Sequence, residues 1–323
     1  MERPPDAHEV LVLGREDVRR VLPMAELVRE LEGFFLRRPE VVQPQRTIAR
    51  MGGGVWLLMP SHVRGYGVSV KTVNEYPLPD HAHGIIELYD EGTGIPLALL
   101  NSAEITRLRT GALGALAIKY IYKKKSAIVG VIGSGEQAEG QLEGAATVLT
   151  VERAYVYSRD PRKRSSFAAR MRERLGVEVV DVDEAKLAVE RADVVLVATN
   201  SEVPVLSGEW LREGSHLNSL GTLPERRELD DETFRRASLV VFDSYEGVMR
   251  EAGDVIHAIG SGALDRRKIA GELADVVRSG GIRRADGDIT LFKSVGIGYL
   301  DAIAARLAYS RAREANVGSR VMV

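Results

Sequence analysis

The stretch AIVGVIGSGEQAEGQ, Ala127 to Gln141, restricts the fold more than any other part of this chain. Gly133, Gly135 and Ala138 spell GxGxxA directly after an apolar strand and at the start of an amphipathic helix, the setting in which that spacing binds a dinucleotide. The first glycine permits the tight turn, and the second lets the backbone approach a pyrophosphate. Ala138 lets the helix pack close to the sheet, and N–H groups at the helix start meet the phosphate charge. Gly133, Ser134, Gly135, Glu136 and Gln137 are therefore candidate cofactor-binding residues.

After Ser126 apolar runs alternate with amphipathic segments, as successive βαβ units do. The runs AIVGVI, RAYVYS, VEVV, DVVLVAT, HLNSLG and LVVFDS read as strands. PRKRSSFAARMRERL reads as a helix with Phe167, Met171 and Leu175 on one face, and Asp183 is the expected N-cap of another. Before Ser126 the texture differs: GYGVSVKTVNEY and GIIELYDEGTGIPLALL read as antiparallel or mixed strands joined by a glycine-rich turn. NSAEITRLRTGALGALAIKYIY reads as a long helix with Asn101 as N-cap and Glu104 three residues on. A final helix from Tyr299 is expected to return to the first half. The expected organisation is an α/β protein with a Rossmann-type parallel sheet over residues 125–295 and an α+β unit built from both chain ends, 1–124 and 296–323.

Composition narrows the partners. With 44 basic and 46 acidic residues the net charge is -2, too small a field to draw the chain to nucleic acid or an anionic membrane. No export signal or membrane-length apolar run is seen, which places the chain in the cytoplasm with a small molecule as partner. The absence of cysteine removes thiolate nucleophiles and cysteine-ligated metals. The histidines lack metal-site spacing, and the pair His81 and His83 reads as turn chemistry.

The residues also bear on which dinucleotide binds. A site for NAD(H) usually ends its second strand with an acid for the ribose hydroxyls; here that place reads YVYSRDPRKR. Ser158, Arg159 and Lys163 would welcome a 2'-phosphate, so NADP(H) is favoured. Asp160 stands close enough to reach a ribose, which keeps NAD(H) open.

Three cations lie in apolar or small-residue surroundings. Lys71 shares a strand face with Ser69 and Val73, a position that also suits a snorkelling surface lysine. Arg109 precedes Gly111, Ala112, Gly114 and Ala115, small residues that admit a close neighbour. Arg46 is the third. Together they suit a carboxylate substrate.

Four segments, LRTGA, the GxGxQA loop, LNSLGTLPERRELD and DITLFKSVGIGYLD, occur in the order and spacing of the ornithine cyclodeaminase and mu-crystallin family, and the chain resembles that family over nearly its whole length. The resemblance implies an NAD(P)H-dependent oxidoreductase of imino or amino acids, and a homodimer. It implies that Arg46, Lys71 and Arg109 hold a substrate carboxylate, with Lys71 also protonating or polarising an imine nitrogen. Thr110 would contact a cofactor phosphate, Lys293 and Ser294 would lie beside the nicotinamide, and Asp301 would serve the substrate. Thr199, Asn200 and Leu220, at strand ends, would line the cofactor cleft. Substrate side-chain preference would depend on Leu57, Met59, Asn74 and Thr222. The cyclodeaminases of the family carry acids where this chain has Thr222 and Leu57, so reduction of a cyclic ketimine acid, or of a 2-oxo acid with ammonia, is the expected activity. Ornithine cyclodeamination using Glu225 or Glu228, and ligand binding of the mu-crystallin type, are the alternatives.

Overall fold

The computed structural model describes residues 8–76 and 82–323. His81, named above, lies outside them. The chain forms two compact units, Met1–Arg109 with Gly298–Val323, and Thr110–Ile297.

In the first unit a mixed sheet runs in the order Ser319–Met322, Glu9–Leu13, Pro96–Asn101, Ala82–Tyr89, Gly67–Glu75, Gly54–Val63 and Val41–Val42, with Thr47–Met51 also on Gly54–Val63. Only the Glu9–Leu13 and Pro96–Asn101 pairing is parallel among the described strands. Strand alternation gives the sheet two unlike faces. Met59, Ser61, Ser69, Lys71, Ile86 and Leu88 are buried on one, the face on which helix Tyr299–Ala315 packs, with Met24–Arg37 against that helix. Leu58 and Ile85, on the other, are 38% and 44% exposed. The expected final helix is Tyr299–Ala315, and a strand follows it: Asn316 takes a left-handed turn, and Ser319–Met322 pairs antiparallel with Glu9–Leu13.

The second unit is a doubly wound sheet, parallel at every described pairing, in the order Val179–Asp181, Thr150–Tyr157, Ser126–Ile132, Val194–Val197, His216–Ser219, Ile289–Lys293, Ala237–Phe242 and Ile269–Glu272. Alternate residues of one strand feed opposite cores, Val194 and Leu196 with Phe167 and Met171, Val195 and Val197 with Phe234 and Phe242. This is the Rossmann-type arrangement expected. The strands Ile269–Glu272 and Ile289–Lys293 are additions to it; the first, IAGE, carries almost no strand signature.

Two local readings differ. Asp183 is not a cap, since the short helix Ala185–Val189 starts from Glu184 without a side-chain cap. Asn101 does cap, its Oδ1 accepting from Glu104 N at 2.9 Å. The Glu104 carboxylate, though, turns to Arg107 at 2.6 Å and Arg19 at 3.1 Å, because two guanidinium groups within reach outbid a backbone N–H.

Candidate active site

The three cations were read from unconnected stretches, and in the first unit two of them converge on one carboxylate. Lys71, from the buried face of Gly67–Glu75, and Arg109, from helix Ser102–Ala117, are 3% and 4% exposed. Asp301, in the first turn of Tyr299–Ala315, is fully buried between them. Its Oδ1 accepts from Arg109 Nε at 3.0 Å, and both oxygens accept from Lys71 Nζ at 3.3 Å. Lys71 also donates to Thr106 Oγ1 at 2.7 Å, one helical turn before Arg109. Thr106 went unnoticed in the sequence because a threonine inside a helix carries no signal of its own.

Two cations on one anion leave a net positive charge in a dry place. Arg46 adds to it from half-buried ground beside Thr47–Met51, close enough to act on Lys71. The segment before it is pinned to the Asp301 helix by Gln43 Oε1, which accepts from Tyr299 N at 2.8 Å. Burial lowers the Lys71 pKa to about 8; Asp301 opposes the shift, and Arg109 and Arg46 add to it. Arg109 Nη1 is buried with no hydrogen-bond partner among the described residues. An unpaired buried guanidinium N–H is costly, and a carboxylate oxygen is the acceptor its geometry suits.

Met59 stands directly across from Lys71 in the sheet register, and Leu57 across from Val73, so both share the Lys71 face. Asn74 does not. It lines a cavity of about 510 Å³ on the opposite face, with Trp56, Thr72 and Ile85.

In the second unit the glycine loop has the shape that a dinucleotide needs. Gly133 has φ +117, and a Cβ there would fall 2.2 Å from the Ala198 carbonyl oxygen. Over Gly135 the space is open, and helix Glu136–Val148 begins there without a side-chain cap. Gln137 Oε1 is buried without a partner. Ser134 Oγ donates to Ser158 Oγ at 3.0 Å, tying the loop to the end of the second strand. These residues fit a pyrophosphate laid across the loop.

Asp160, which kept NAD(H) open, is spent locally. Its Oδ1 accepts from Arg162 N at 2.9 Å and Lys163 N at 3.2 Å, capping helix Pro161–Leu175. Arg159 and Lys163 are exposed beside it.

The strand-end residues form a second buried polar cluster. Glu228 Oε1 accepts from Thr199 N at 2.5 Å and Thr199 Oγ1 at 2.9 Å, and its Oε2 from Ser219 Oγ at 2.9 Å and Gly221 N at 2.6 Å. Burial pushes its pKa up, against Lys293 and the Thr199 donors. Four donors thus converge on the Glu228 carboxylate and occupy both of its oxygens. Lys293, expected beside the nicotinamide, has its ammonium buried against Asp254 at 2.8 Å and Ser219 Oγ at 2.9 Å. Ser294 Oγ donates to Asp243 at 2.7 Å. Leu220 N donates to the Val197 carbonyl, and Asn200 accepts from Arg226. Thr222 Oγ1 is buried without a partner, next to Leu223 at φ +82. Asp254 and Asp243 were missed because nothing in their own neighbourhoods marks them as partners of a strand some 40 to 50 residues on.

A doubly wound parallel sheet with this loop defines a dinucleotide-binding protein, and the first unit adds a buried cation cluster with a donor to spare. The chain belongs to the ornithine cyclodeaminase/mu-crystallin family, whose model matches residues 8–316. It is 32% identical to a Delta(1)-pyrroline-2-carboxylate reductase of Bacillus cereus, over 97% of this chain and 99% of the relative. Among solved structures, the Delta(1)-pyrroline-2-carboxylate reductase of Thermococcus litoralis in complex with NADH and L-proline is 40% identical, with a TM-score of 0.91 over 97% of this chain and 100% of the other. An archaeal alanine dehydrogenase dimer with bound NAD is 29% identical, with a TM-score of 0.87 over 97% and 99%.

Proposed function

We propose that this chain is a nicotinamide-dependent oxidoreductase that reduces a cyclic imino acid of the pyrroline-2-carboxylate type to the L-amino acid. The observation that carries the reading is the unpaired, buried Nη1 of Arg109 beside an ammonium held on the same aspartate. The name of the Bacillus relative and the proline-bound Thermococcus structure support the substrate class. Arg109 grips the substrate carboxylate and Arg46 adds positive charge to that end. Asp301 fixes Lys71 and Arg109 against each other, and Lys71 Nζ gives a proton to the imine nitrogen. The reduced nicotinamide, when bound, supplies the hydride.

The test follows absorbance at 340 nm with NADPH and then NADH, offering pyrroline-2-carboxylate, piperideine-2-carboxylate, and pyruvate with ammonia in turn. Oxidation with a cyclic imine is expected. Turnover only with pyruvate and ammonia, or with none of the three, overturns the substrate assignment.

NADP(H) is the cofactor that residues 158–163 favour, although the two solved neighbours are described with NADH and NAD. With Asp160 committed to its helix, replacing Arg159 by Ala is expected to lower kcat/KM for NADPH about tenfold and to leave NADH nearly unchanged. An equal effect on both would remove Arg159 from 2'-phosphate recognition.

The buried lysine gives a pH signature. Imine reduction needs the ammonium form, so its kcat/KM falls as pH rises through about 8, while amino acid oxidation, which needs the neutral amine, rises over the same range. Asp301→Asn removes the charge that holds the ammonium up and shifts the fall to lower pH. A profile that is flat from pH 7 to 10 in both directions would exclude Lys71 as the proton donor.

A homodimer fits the outer face of the first unit's sheet, where Leu58 and Ile85 are exposed beside half-buried Trp56, Val70 and Leu99. Another copy of that face would bury this surface isologously, and the archaeal alanine dehydrogenase is described as a dimer.

A further inference from the structure

Gln141 lies in helix Glu136–Val148, which starts at the glycine loop, and is 1% exposed. Its Nε2 donates to the Thr110 carbonyl at 2.7 Å. Its Oε1 accepts from Asn218 Nδ2 at 3.0 Å, and the same Nδ2 donates to the Gly114 carbonyl at 3.2 Å. Carbonyls only accept, so these contacts orient both amides. Asn218 Oδ1 therefore takes the hydrogen of His216 Nε2 at 2.9 Å, which leaves His216 Nδ1 to accept from Thr290 Oγ1 at 2.9 Å. Thr290 Oγ1 accepts in turn from Arg284 Nη1 at 3.2 Å. Donors thus run one way, from a guanidinium through Thr290, His216, Asn218 and Gln141 to the backbone of Thr110. Burial lowers the His216 pKa to about 3, so the chain of bonds keeps its direction over the working pH range.

The helices at its end touch through glycine. A Cβ on Gly114 would sit 2.2 Å from Gln141 Oε1, and one on Gly144 would sit 2.2 Å from the Gly111 carbonyl oxygen. Only small residues let Gln141 reach across, and no other side chain bonds the Thr110 carbonyl among the described contacts.

We propose that Gln141 is a positioning residue for the dinucleotide phosphates, holding Thr110 and the glycine loop at one fixed separation through this one-way chain of hydrogen bonds. The inference rests on the reading that the loop and Thr110 meet those phosphates. A satisfied polar network defines one geometry where an apolar contact would tolerate several, and one broken link leaves its neighbours unpaired.

The test is equilibrium binding, followed by NADPH and NADH fluorescence, with the melting temperature of each nucleotide-free variant measured alongside. Gln141→Met fills the space and makes neither bond; Gln141→Glu keeps the acceptor for Asn218 and loses the donor to Thr110. Leu142→Ala, in the same helix and fully buried in the adjacent core, serves as a control that destabilises without touching Thr110. Both Gln141 variants are expected to raise Kd about tenfold, and Leu142→Ala less than about twofold at a similar or larger fall in melting temperature. Should Gln141→Met fail to fold, Gln141→Glu and Asn218→Asp decide. A rise in Kd no greater than that of Leu142→Ala overturns the proposal. Tight binding by the wild type without turnover would sink the proposed reaction and leave this inference standing, whereas no binding of either nucleotide would sink both.

Discussion

Replacing Lys71 by Met is expected to lower kcat for imine reduction about 1,000-fold and to leave the Kd of NADPH within about twofold. Met keeps most of the length and apolar stem of the side chain and removes the ammonium. Asp301 then faces Arg109 alone, a neutral pair in place of a positive triad, so the fold should lose little. The nitrogen of the substrate, by contrast, loses its proton source, which is a transition-state role and appears in kcat more than in KM. Stopped-flow oxidation of bound NADPH at saturating imine separates this step from product release. Undiminished kcat would exclude Lys71 from the chemistry and leave the cluster as an anion-binding device.

The largest effect on stability is expected at Lys293. Its ammonium and Asp254 are 0% and 1% exposed and paired at 2.8 Å, and Glu228 lies near enough to feel both. Lys293→Met leaves two buried carboxylates without their shared cation, at a cost of about 3–5 kcal/mol in urea unfolding. Adding Asp254→Leu should recover much of that loss, because replacing both partners removes the uncompensated charge. If the single variant unfolds within about 1 kcal/mol of wild type, the cluster is not the support of the strand ends that it resembles. Loss of cofactor affinity without loss of stability would instead put Lys293 in contact with the nucleotide.

The Lys71 cluster combines a local feature that the sequence carries with a burial that it does not. Strand alternation placed Lys71 on the Ser69 and Val73 side correctly, because side-chain direction in a strand is set by the two peptides around it. Whether that side was wet or dry was undecided, since burial depends on a helix that begins at Tyr299. Asp301 was expected to serve the substrate; the structure shows the role that comes first, as counter-ion to both cations. Asp160 is the reverse case. Its bonds to Arg162 and Lys163 are two and three residues away, yet a place near the expected ribose left it open as a second way to hold a ribose, and the cap it forms went unread.

By itself the sequence determined much of what rests on periodicity and on contacts within about four residues, the caps at Asp160 and Glu184 excepted. That covers the strand–loop–helix around Gly133, the Asn101 cap, the hairpin turn at Asp90 to Gly94, and the change from a mixed sheet to alternating βαβ units. The tertiary structure alone decided which charges meet. Asp301 lies 230 residues from Lys71, Glu228 bridges Thr199 to Ser219, and Gln141 reaches back 31 residues to Thr110. An ion pair or a hydrogen-bond chain of that span leaves no local pattern, because its strength comes from exclusion of water by the whole core and its geometry from how the elements pack.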